Sequence, residues 1–276
     1  MHRYVLIIMT KKLITAFCIF TFLLSGCGCT KYEDNESTNN SDIKTIGLIG
    51  GMSWLSTVEY YRIINQEVSE RLGGLHSAKI IMYSLDFDTI EQMQREGRWS
   101  DATNVMVECA KILENGGADC ILICTNTMHK TADDVQKNIS IPLLSIIDAT
   151  AERIKANGIR KVGLLGTKYT MTEDFYKGRL SKEFGIEVLV PDTDDINAVN
   201  YIIYNELCVG NISLSSKNKV IEIINGLADN GAEGVILGCT ELPLLVKSED
   251  VDIPLFNTTK IHAEYAVEYA LKDFVK

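Results

Sequence analysis

The sequence predicts an α/β fold of two similar lobes, each a mainly parallel sheet flanked by helices, with the lobes related by pseudo-two-fold symmetry. Short apolar runs alternate with amphipathic stretches of helical period, which is typical of parallel strands joined by crossover helices. The same order of motifs then recurs roughly 115 residues further along the chain, which indicates a duplicated unit.

The N-terminal residues 1–27 are typical of a lipoprotein signal peptide rather than of a folded domain. Two lysines precede an apolar stretch, residues 13–24, that is short for a membrane span. The LSGC sequence that ends at Cys27 resembles a bacterial lipobox. We therefore expect Cys27 to be lipidated and to anchor the protein to a membrane outside the cytoplasm; an uncleaved hydrophobic anchor is the alternative. Residues 28–44 are polar and predict a flexible linker.

The first lobe, residues 45–149, contains the first copy of the repeat. Its predicted elements are a strand over 45–49 before a Gly-Gly pair, a helix over 56–72, a strand over 79–83, a helix over 101–115, a buried strand over 120–124 and a helix over 127–136. Within the first helix, the expected buried face consists of Val58, Tyr61, Ile64 and Val68.

The second lobe, residues 150–255, repeats these motifs at a nearly constant offset. Gly163 in KVGLLG follows Gly47 in TIGLIG by 163 − 47 = 116 residues. The offsets of the second Gly-Ala-acid motif, the second Cys-Thr pair and the second Ile-Pro-Leu motif are 231 − 117 = 114, 239 − 124 = 115 and 254 − 142 = 112. The C-terminal segment, residues 256–276, predicts a helix over 259–274 that packs back on the first lobe.

The composition argues against several classes of function. The formal net charge is −10, and the first 27 residues carry three basic and no acidic side chains, so the remainder carries −10 − 3 = −13. Such an acidic protein is a poor match for nucleic acid. The eight cysteines have neither CxxC pairs nor metal-finger spacing, so no metal is expected. No Gly-rich dinucleotide motif and no distinctive Schiff-base lysine indicate a cofactor.

Two cysteines lie at the ends of equivalent predicted strands, one in each lobe. Cys124 begins the sequence CTNT, and Cys239 begins CTE. Ligands of open parallel sheets bind beyond the carboxyl ends of the strands, so we expect both thiols to face one cleft. Core packing, a disulfide between the two cysteines and a zinc site that includes His129 are the alternatives.

Opposed thiols in a cleft suit one kind of chemistry. Two acid–base groups on opposite faces of a carbon can remove a proton from one side and return a proton to the other, which inverts the stereocentre. A helix N-terminus beside Cys124 would favour its thiolate. The backbone N–H groups and side chains of Thr125, Asn126 and Thr127 would suit a carboxylate.

The chain from 45 to about 272 resembles the aspartate/glutamate racemase family, and most closely its broad-specificity amino-acid racemase branch. The motifs that carry the resemblance are IGLIGGMSWLST (46–57), RLGGLHSAKI (71–80), CTNTMHK (124–130), GTKYTM (166–171), GCTEL (238–242) and IHAEYAV (261–267). The resemblance implies a cofactor-independent racemase, active on aspartate, glutamate or a broader range of amino acids, that forms a homodimer. It also implies a two-base mechanism in which Cys124 and Cys239 are the catalytic residues.

The resemblance further implies residues that bind the substrate. These are Met52, Gln94, Thr125, Asn126, Thr127, Lys168, Thr240 and Glu241. Lys168 would suit a side-chain carboxylate, although a solvated lysine beside a turn fits equally. Glu241 would tune Cys239 or bind the amino group, and Gln94 also fits a helix surface. Residues 87–98 do not match the arginine motif of strict aspartate racemases, which argues against a strict preference for aspartate.

A lipid-anchored solute-binding protein for an amino acid or small carboxylate is the alternative function. A lipobox, a polar linker and a two-lobed α/β body suit that function as well. The paired Cys-Thr motifs favour the enzyme, because a binding protein has no use for two opposed thiols.

Overall fold

The computed structural model describes residues 42–274. The predicted signal peptide, its lipidation residue Cys27 and most of the predicted linker lie outside the described residues. Among residues 42–274, no helix is both long enough and apolar enough to cross a membrane.

The first lobe contains a three-stranded parallel sheet in the spatial order β2-β1-β3. Its strands are β1 (Ile46–Gly50), β2 (Ile80–Ser84) and β3 (Cys120–Ile123). Its helices are α1 (Trp54–Leu72), α2 (Phe87–Arg95), α3 (Trp99–Asn115), a 3₁₀ turn (Thr127–Thr131) and α4 (Ala132–Gln136).

The second lobe contains a four-stranded parallel sheet in the spatial order β5-β4-β6-β7. Its elements in chain order are α5 (Ile146–Ala156), β4 (Lys161–Gly166), α6 (Lys168–Thr172), α7 (Asp174–Phe184), β5 (Glu187–Leu189), α8 (Thr193–Asn205), a 3₁₀ turn (Leu207–Val209), α9 (Leu214–Asp229), β6 (Val235–Gly238), α10 (Leu242–Leu245), a 3₁₀ turn (Ser248–Asp250) and β7 (Leu255–Asn257). The C-terminal helix α11 (Thr258–Leu271) follows β7 and returns to the first lobe. Two parallel sheets flanked by helices confirm the predicted α/β class.

The buried face of α1 differs from the prediction. Val58 and Tyr61 are each 52% exposed, whereas Tyr60 and Ile64 are fully buried. The buried row runs at four-residue spacing through Tyr60, Ile64 and Val68, because residues i and i+4 lie one above the other on a helix. The predicted face combined residues of this row with residues of the neighbouring row of the helix. The prediction that Val58 and Tyr61 are buried was therefore wrong. The predicted helix over 127–136 is also divided, into a 3₁₀ turn and α4.

The two faces of β3 pack into different cores. Cys120 and Leu122 belong to the core formed with α1 and α11, whereas Ile121 and Ile123 belong to the core formed with α3. Successive side chains of a strand point to opposite faces, so this alternation also decides where the residues after β3 point.

The C-terminal helix α11 packs along α1. Its buried residues Ala263, Ala266 and Val267 share a core with Ile64 and Val68. The backbone N–H of Lys44 donates to the carbonyl of residue 270, which ties the start of the first lobe to this helix.

The turn after β1 requires glycine. Gly51 has φ of +89°, and an added Cβ would lie 2.1 Å from the carbonyl oxygen of Leu85. The backbone N–H of Gly51 donates to Thr57 Oγ1 at 2.8 Å. This tight approach carries the chain from β1 to Met52, which lies at the carboxyl edge of the sheet.

Candidate active site

The carboxyl ends of β3 and β6 meet at one small cavity between the lobes. The cavity has a volume of about 20 Å³, which is enough for about one water molecule. Its lining residues are Met52, Phe87, Gln94, Thr125, Asn126, Thr127, Thr167, Ile203, Tyr204, Cys208, Gly238, Cys239, Thr240 and Glu241. An amino acid is much larger, so we expect the cavity to widen when a substrate enters.

Most of the residues predicted to form the site come together here. Eight of them line the cavity: Met52, Gln94, Thr125, Asn126, Thr127, Cys239, Thr240 and Glu241. Cys124 and Lys168 do not line it. Within the described residues, no group of three His, Cys, Asp or Glu side chains is placed to hold a metal ion.

Cys124 is placed in the protein interior rather than at the cavity. Its side chain is 0% exposed and belongs to the core that contains Leu122, Tyr60 and Ala263. Burial raises the pKa of the Cys124 thiol well above its ordinary value. The structure therefore argues against the predicted catalytic role of Cys124 and against the predicted pair of thiols that face one cleft.

The sheet register explains why the predicted pairing of the two cysteines is one residue off. In the two lobes, Gly47 pairs with Ile121 and its equivalent Gly163 pairs with Val235. The offset between β3 and β6 is thus 235 − 121 = 114, so Cys239 is equivalent to residue 239 − 114 = 125, which is Thr125. A shift of one residue moves a strand side chain to the other face.

The position equivalent to Cys124 in the second lobe is glycine. It is Gly238, since 124 + 114 = 238, and a Cβ there would lie 2.8 Å from the carbonyl oxygen of Leu165. The two lobes therefore do not share a cysteine at this position. The positions that both lobes direct to the cavity are Thr125 and Cys239.

Glu241 is the carboxylate that contacts Cys239. It is 2% exposed, and its Oε2 accepts hydrogen bonds from Cys239 Sγ at 3.1 Å and from Thr240 Oγ1 at 2.7 Å. Its Oε1 accepts a hydrogen bond from Ser53 Oγ of the first lobe at 2.6 Å. Burial, followed by the negative charge of Glu241, raises the pKa of the Cys239 thiol well above its ordinary value. The thiol therefore rests protonated beside a group that can accept its proton.

Asn126 presents a buried acceptor without a partner. Its Nδ2 donates to Thr258 Oγ1 at 3.0 Å, and Thr258 Oγ1 donates its own hydrogen to the carbonyl of Leu237 at 2.9 Å. Because the hydroxyl proton is already used, the orientation of the Asn126 amide is fixed. Asn126 Oδ1 is buried and has no hydrogen-bond partner among the described residues. A buried acceptor of this kind favours a ligand that donates a hydrogen bond.

Hydroxyl groups from both lobes meet beside this amide. Thr127 Oγ1 and Thr167 Oγ1 lie 2.9 Å apart, and Thr167 Oγ1 lies 3.2 Å from Thr170 Oγ1. Each of these hydroxyl groups can act either as a donor or as an acceptor, so the row of hydroxyls can donate a hydrogen bond to a carboxylate.

His129 holds the loop that carries Thr125. Its Nδ1 hydrogen-bonds to the carbonyl oxygen of Thr125 at 2.7 Å, and its Nε2 to the backbone N–H of Ile146 at 3.0 Å. A carbonyl only accepts and an N–H only donates, so Nδ1 carries the proton. Burial lowers the pKa of His129 to about 4. The ring is therefore neutral at physiological pH, and it braces the loop between the two lobes.

Gln94 and two aromatic side chains form the outer wall of the cavity. Gln94 is buried rather than on a helix surface, and its Oε1 accepts a hydrogen bond from Tyr204 Oη at 3.2 Å. Gln94 Nε2 donates to Met128 Sδ at 3.1 Å. The ring of Tyr204 stacks on Phe87 with centroids 6.4 Å apart and an interplanar angle of 13°.

Several cavity residues were missed by sequence reasoning. They are Phe87, Thr167, Ile203, Tyr204, Cys208 and Gly238. Thr167 could have been found, because the repeat offset of 116 makes it equivalent to Gly51 (51 + 116 = 167), after the first strand of its lobe. Tyr204 has no local signal, since only the packing of α8 against α2 brings it to the site.

Lys168 lies outside the cavity. It is exposed and lines a separate surface hollow together with Glu91, Arg95 and Tyr169. Its backbone N–H donates to Asn200 Oδ1 at 2.8 Å. Lys168 therefore does not line the cavity, and its contact with a substrate carboxylate stays a prediction.

The fold and the site define a class of two-lobed α/β proteins in which the carboxyl ends of strands from both lobes form one small polar cavity. The profile of the Asp/Glu/hydantoin racemase family matches residues 49–266, so the chain belongs to that family.

Solved structures and curated relatives agree with this assignment. A putative Asp/Glu racemase from Yersinia pestis is 54% identical, with a TM-score of 0.78 over 83% of this chain and 99% of that protein. An aspartate racemase homologue from Pyrococcus horikoshii OT3 is 41% identical, with a TM-score of 0.71 over 82% of this chain and 99% of that protein. The glutamate racemase of Aquifex pyrophilus is 26% identical over 179 residues, which cover 62% of this chain and 64% of that enzyme.

Proposed function

We propose that this protein is a cofactor-independent amino-acid racemase in which Cys239 and Thr125 act on the two faces of the substrate Cα. The observation that carries the proposal is that these two residues, equivalent by sheet register, line one cavity from different lobes. Membership in the racemase family supports the same reaction class.

The contacts of Cys239 supply the base. Transfer of its thiol proton to Glu241 gives a thiolate and a carboxylic acid within one hydrogen bond of 3.1 Å. The thiolate takes the Cα proton of one enantiomer, and the electrons of the C–H bond move into the substrate carboxylate. General base catalysis of this kind contributes roughly 10²–10⁴ to a rate.

Thr125 supplies the proton on the other face. Its hydroxyl donates to the carbanionic Cα and regains a proton from solvent when the product leaves. Cys239 keeps the Cα proton and is again a thiol, and Glu241 releases the proton that it took from the thiol to solvent. A threonine hydroxyl is a poor base but an adequate acid towards a carbanion. The proposed mechanism therefore favours the direction in which Cys239 abstracts the proton and Thr125 delivers one.

The backbone groups of the substrate have matching partners in the cavity. The free Oδ1 of Asn126 suits the α-ammonium group, which is a strong donor. The hydroxyls of Thr127 and Thr167 suit the α-carboxylate, where negative charge builds up as the proton leaves.

The decisive test follows solvent deuterium into the substrate. The full chain is incubated under reducing conditions with a single enantiomer in deuterated water, and the products are separated on a chiral column. Deuterium at Cα of the opposite enantiomer is the expected result, and Cys239→Ala should abolish it. Binding of amino acids with no exchange by the wild-type chain would overturn the racemase proposal in favour of a solute-binding protein.

We also propose that residues 1–27 direct export and that Cys27 is lipidated, on the strength of the basic residues, the short apolar stretch and the LSGC motif. Labelling of cells with radioactive palmitate should mark the wild-type chain and not Cys27→Ala. A labelled Cys27→Ala protein, or a wild-type chain recovered from the cytosol without label, would contradict this proposal.

We further propose a homodimer, supported by the exposed apolar residues Trp54, Val58 and Tyr61 on α1. Light scattering during size-exclusion chromatography should give twice the chain mass. A monomeric mass at micromolar concentration would refute it.

A further inference from the structure

We propose, as an extension of the proposed racemase function, that the substrate is an α-amino acid whose side chain carries no charge. Of the 14 residues that line the cavity, Glu241 is the only one with a charged side chain, and that charge is negative. No lysine, arginine or histidine is among them. An acidic substrate would therefore bring two carboxylates, its α-carboxylate and its side chain, into a site that already holds Glu241.

Two cations line a surface hollow on the other side of the aromatic wall. Lys168 and Arg95 line the surface hollow, which shares Phe87, Tyr204 and Cys208 with the cavity. Lys168 is exposed, and Arg95 already lies 3.7 Å from Glu91. These cations are separated from the cavity by the stacked rings of Phe87 and Tyr204.

The polar groups of the wall are already engaged. The amide of Gln94 uses Oε1 to accept from Tyr204 and Nε2 to donate to Met128. Beyond these contacts one hydrogen of the Gln94 amide remains, and a single neutral donor does not offset the cost of burying a further carboxylate. The rest of this wall is apolar or aromatic: Met52, Phe87, Ile203, Tyr204 and Cys208.

The reaction itself adds to the cost of placing an acidic side chain in this cavity. Removal of the Cα proton builds negative charge on the α-carboxylate in the transition state, close to Glu241. A zwitterion with a neutral side chain brings its own ammonium group to balance its carboxylate. An acidic side chain adds a charge that nothing in the cavity balances, and juxtaposition of like charges in a buried site costs several kcal/mol.

The test compares substrates that differ in charge at constant size. Rates of deuterium incorporation at Cα are measured for L-glutamate, for L-glutamine, which has the same number of heavy atoms, and for L-methionine, an apolar chain of similar length. The full-length wild-type protein is used throughout, so no variant has to fold. We expect kcat/KM for the better of the two neutral amino acids to exceed that for glutamate about 100-fold.

The outcomes separate this inference from the function on which it rests. A preference for the neutral amino acids below about tenfold, or a preference for glutamate, would overturn the inference and leave the racemase intact. Exchange into none of the three amino acids, nor into aspartate or asparagine, would overturn the racemase proposal and this inference with it.

Discussion

Substitution at two adjacent positions tests the assignment of the second acid–base group. Thr125→Val keeps the shape of the side chain and removes the hydroxyl that lines the cavity. Cys124→Ala removes a sulfur that is 0% exposed in the core. If Thr125 delivers the proton, racemisation in Thr125→Val falls by roughly 10²–10⁴, the usual contribution of a general acid. Racemisation in Cys124→Ala stays within about twofold of wild type, because its side chain does not reach the substrate.

The two substitutions should affect the free energy of unfolding in the opposite order. Loss of the buried Cys124 sulfur costs about 1 kcal/mol in transfer free energy, and the cavity left behind adds up to a similar amount. Thr125→Val exchanges one side chain for another of equal shape beside a cavity, so its free energy of unfolding should change by less. Urea denaturation followed by circular dichroism measures both values.

Isotope exchange then distinguishes a lost catalyst from a damaged site. In Thr125→Val, Cys239 and Glu241 remain in place, so one enantiomer should still exchange its Cα proton for solvent deuterium without inversion. Chiral separation with mass spectrometry detects this exchange. A folded Cys124→Ala protein without racemisation, together with an active Thr125→Val protein, would refute the register argument and restore the two-thiol mechanism.

Three further perturbations follow from the contacts. Glu241→Gln should lower kcat by at least about tenfold, because the variant has no carboxylate to take the proton of Cys239. Its residual rate should rise with pH, because burial keeps the pKa of Cys239 high. A kcat equal to that of the wild type would contradict the role of Glu241. The unfolded state binds a proton at His129 below about pH 6.5, whereas the folded state does so only below about 4, so the free energy of unfolding should fall as pH drops through this range. Urea titrations at several pH values give the slope of the free energy of unfolding against pH. This slope should be smaller by up to about 1.4 kcal/mol per pH unit in His129→Gln, and an unchanged slope would refute the lowered pKa of His129. Gly51→Ala should destabilise the fold more than Gly117→Ala, because both have positive φ but only Gly51 meets backbone, at 2.1 Å; equal losses in thermal denaturation would contradict this.

The duplicated architecture could be predicted because it rests on features that recur in the sequence. Gly47 and Gly163 both lie in central strands where a Cβ would contact neighbours at about 3 Å or less, 2.9 Å from Ile121 and 2.8 Å from Leu227. Such positions keep glycine in both lobes, which makes the offset visible. The alternation of apolar strands and amphipathic helices likewise follows from burial on both faces of a parallel sheet.

The proposed second acid–base position could not be predicted because it depends on a single residue of register. The two Cys-Thr pairs suggest an offset of 115, whereas the strands pair with an offset of 114. In a sequence comparison one residue is a small discrepancy. In a strand, a shift of one residue decides whether a side chain points to the core, as Cys124 does, or to the cavity, as Thr125 does. Tyr204 was beyond prediction for a different reason, since its place at the site depends on contacts between the lobes.

The same contacts link closure of the lobes to the state of the base. A cavity of about 20 Å³ is smaller than an amino acid, so we expect the lobes to separate when a substrate enters. Separation breaks the hydrogen bond from Ser53 of the first lobe to Glu241 of the second. Water then reaches the carboxylate and competes for the acceptor that Cys239 uses. When the lobes close on the substrate, Ser53 again fixes one oxygen of Glu241 and leaves the other aligned with the thiol. In the proposed mechanism the thiolate would therefore form where solvent is excluded and the Cα proton is within reach, and we expect proton abstraction only in the closed complex.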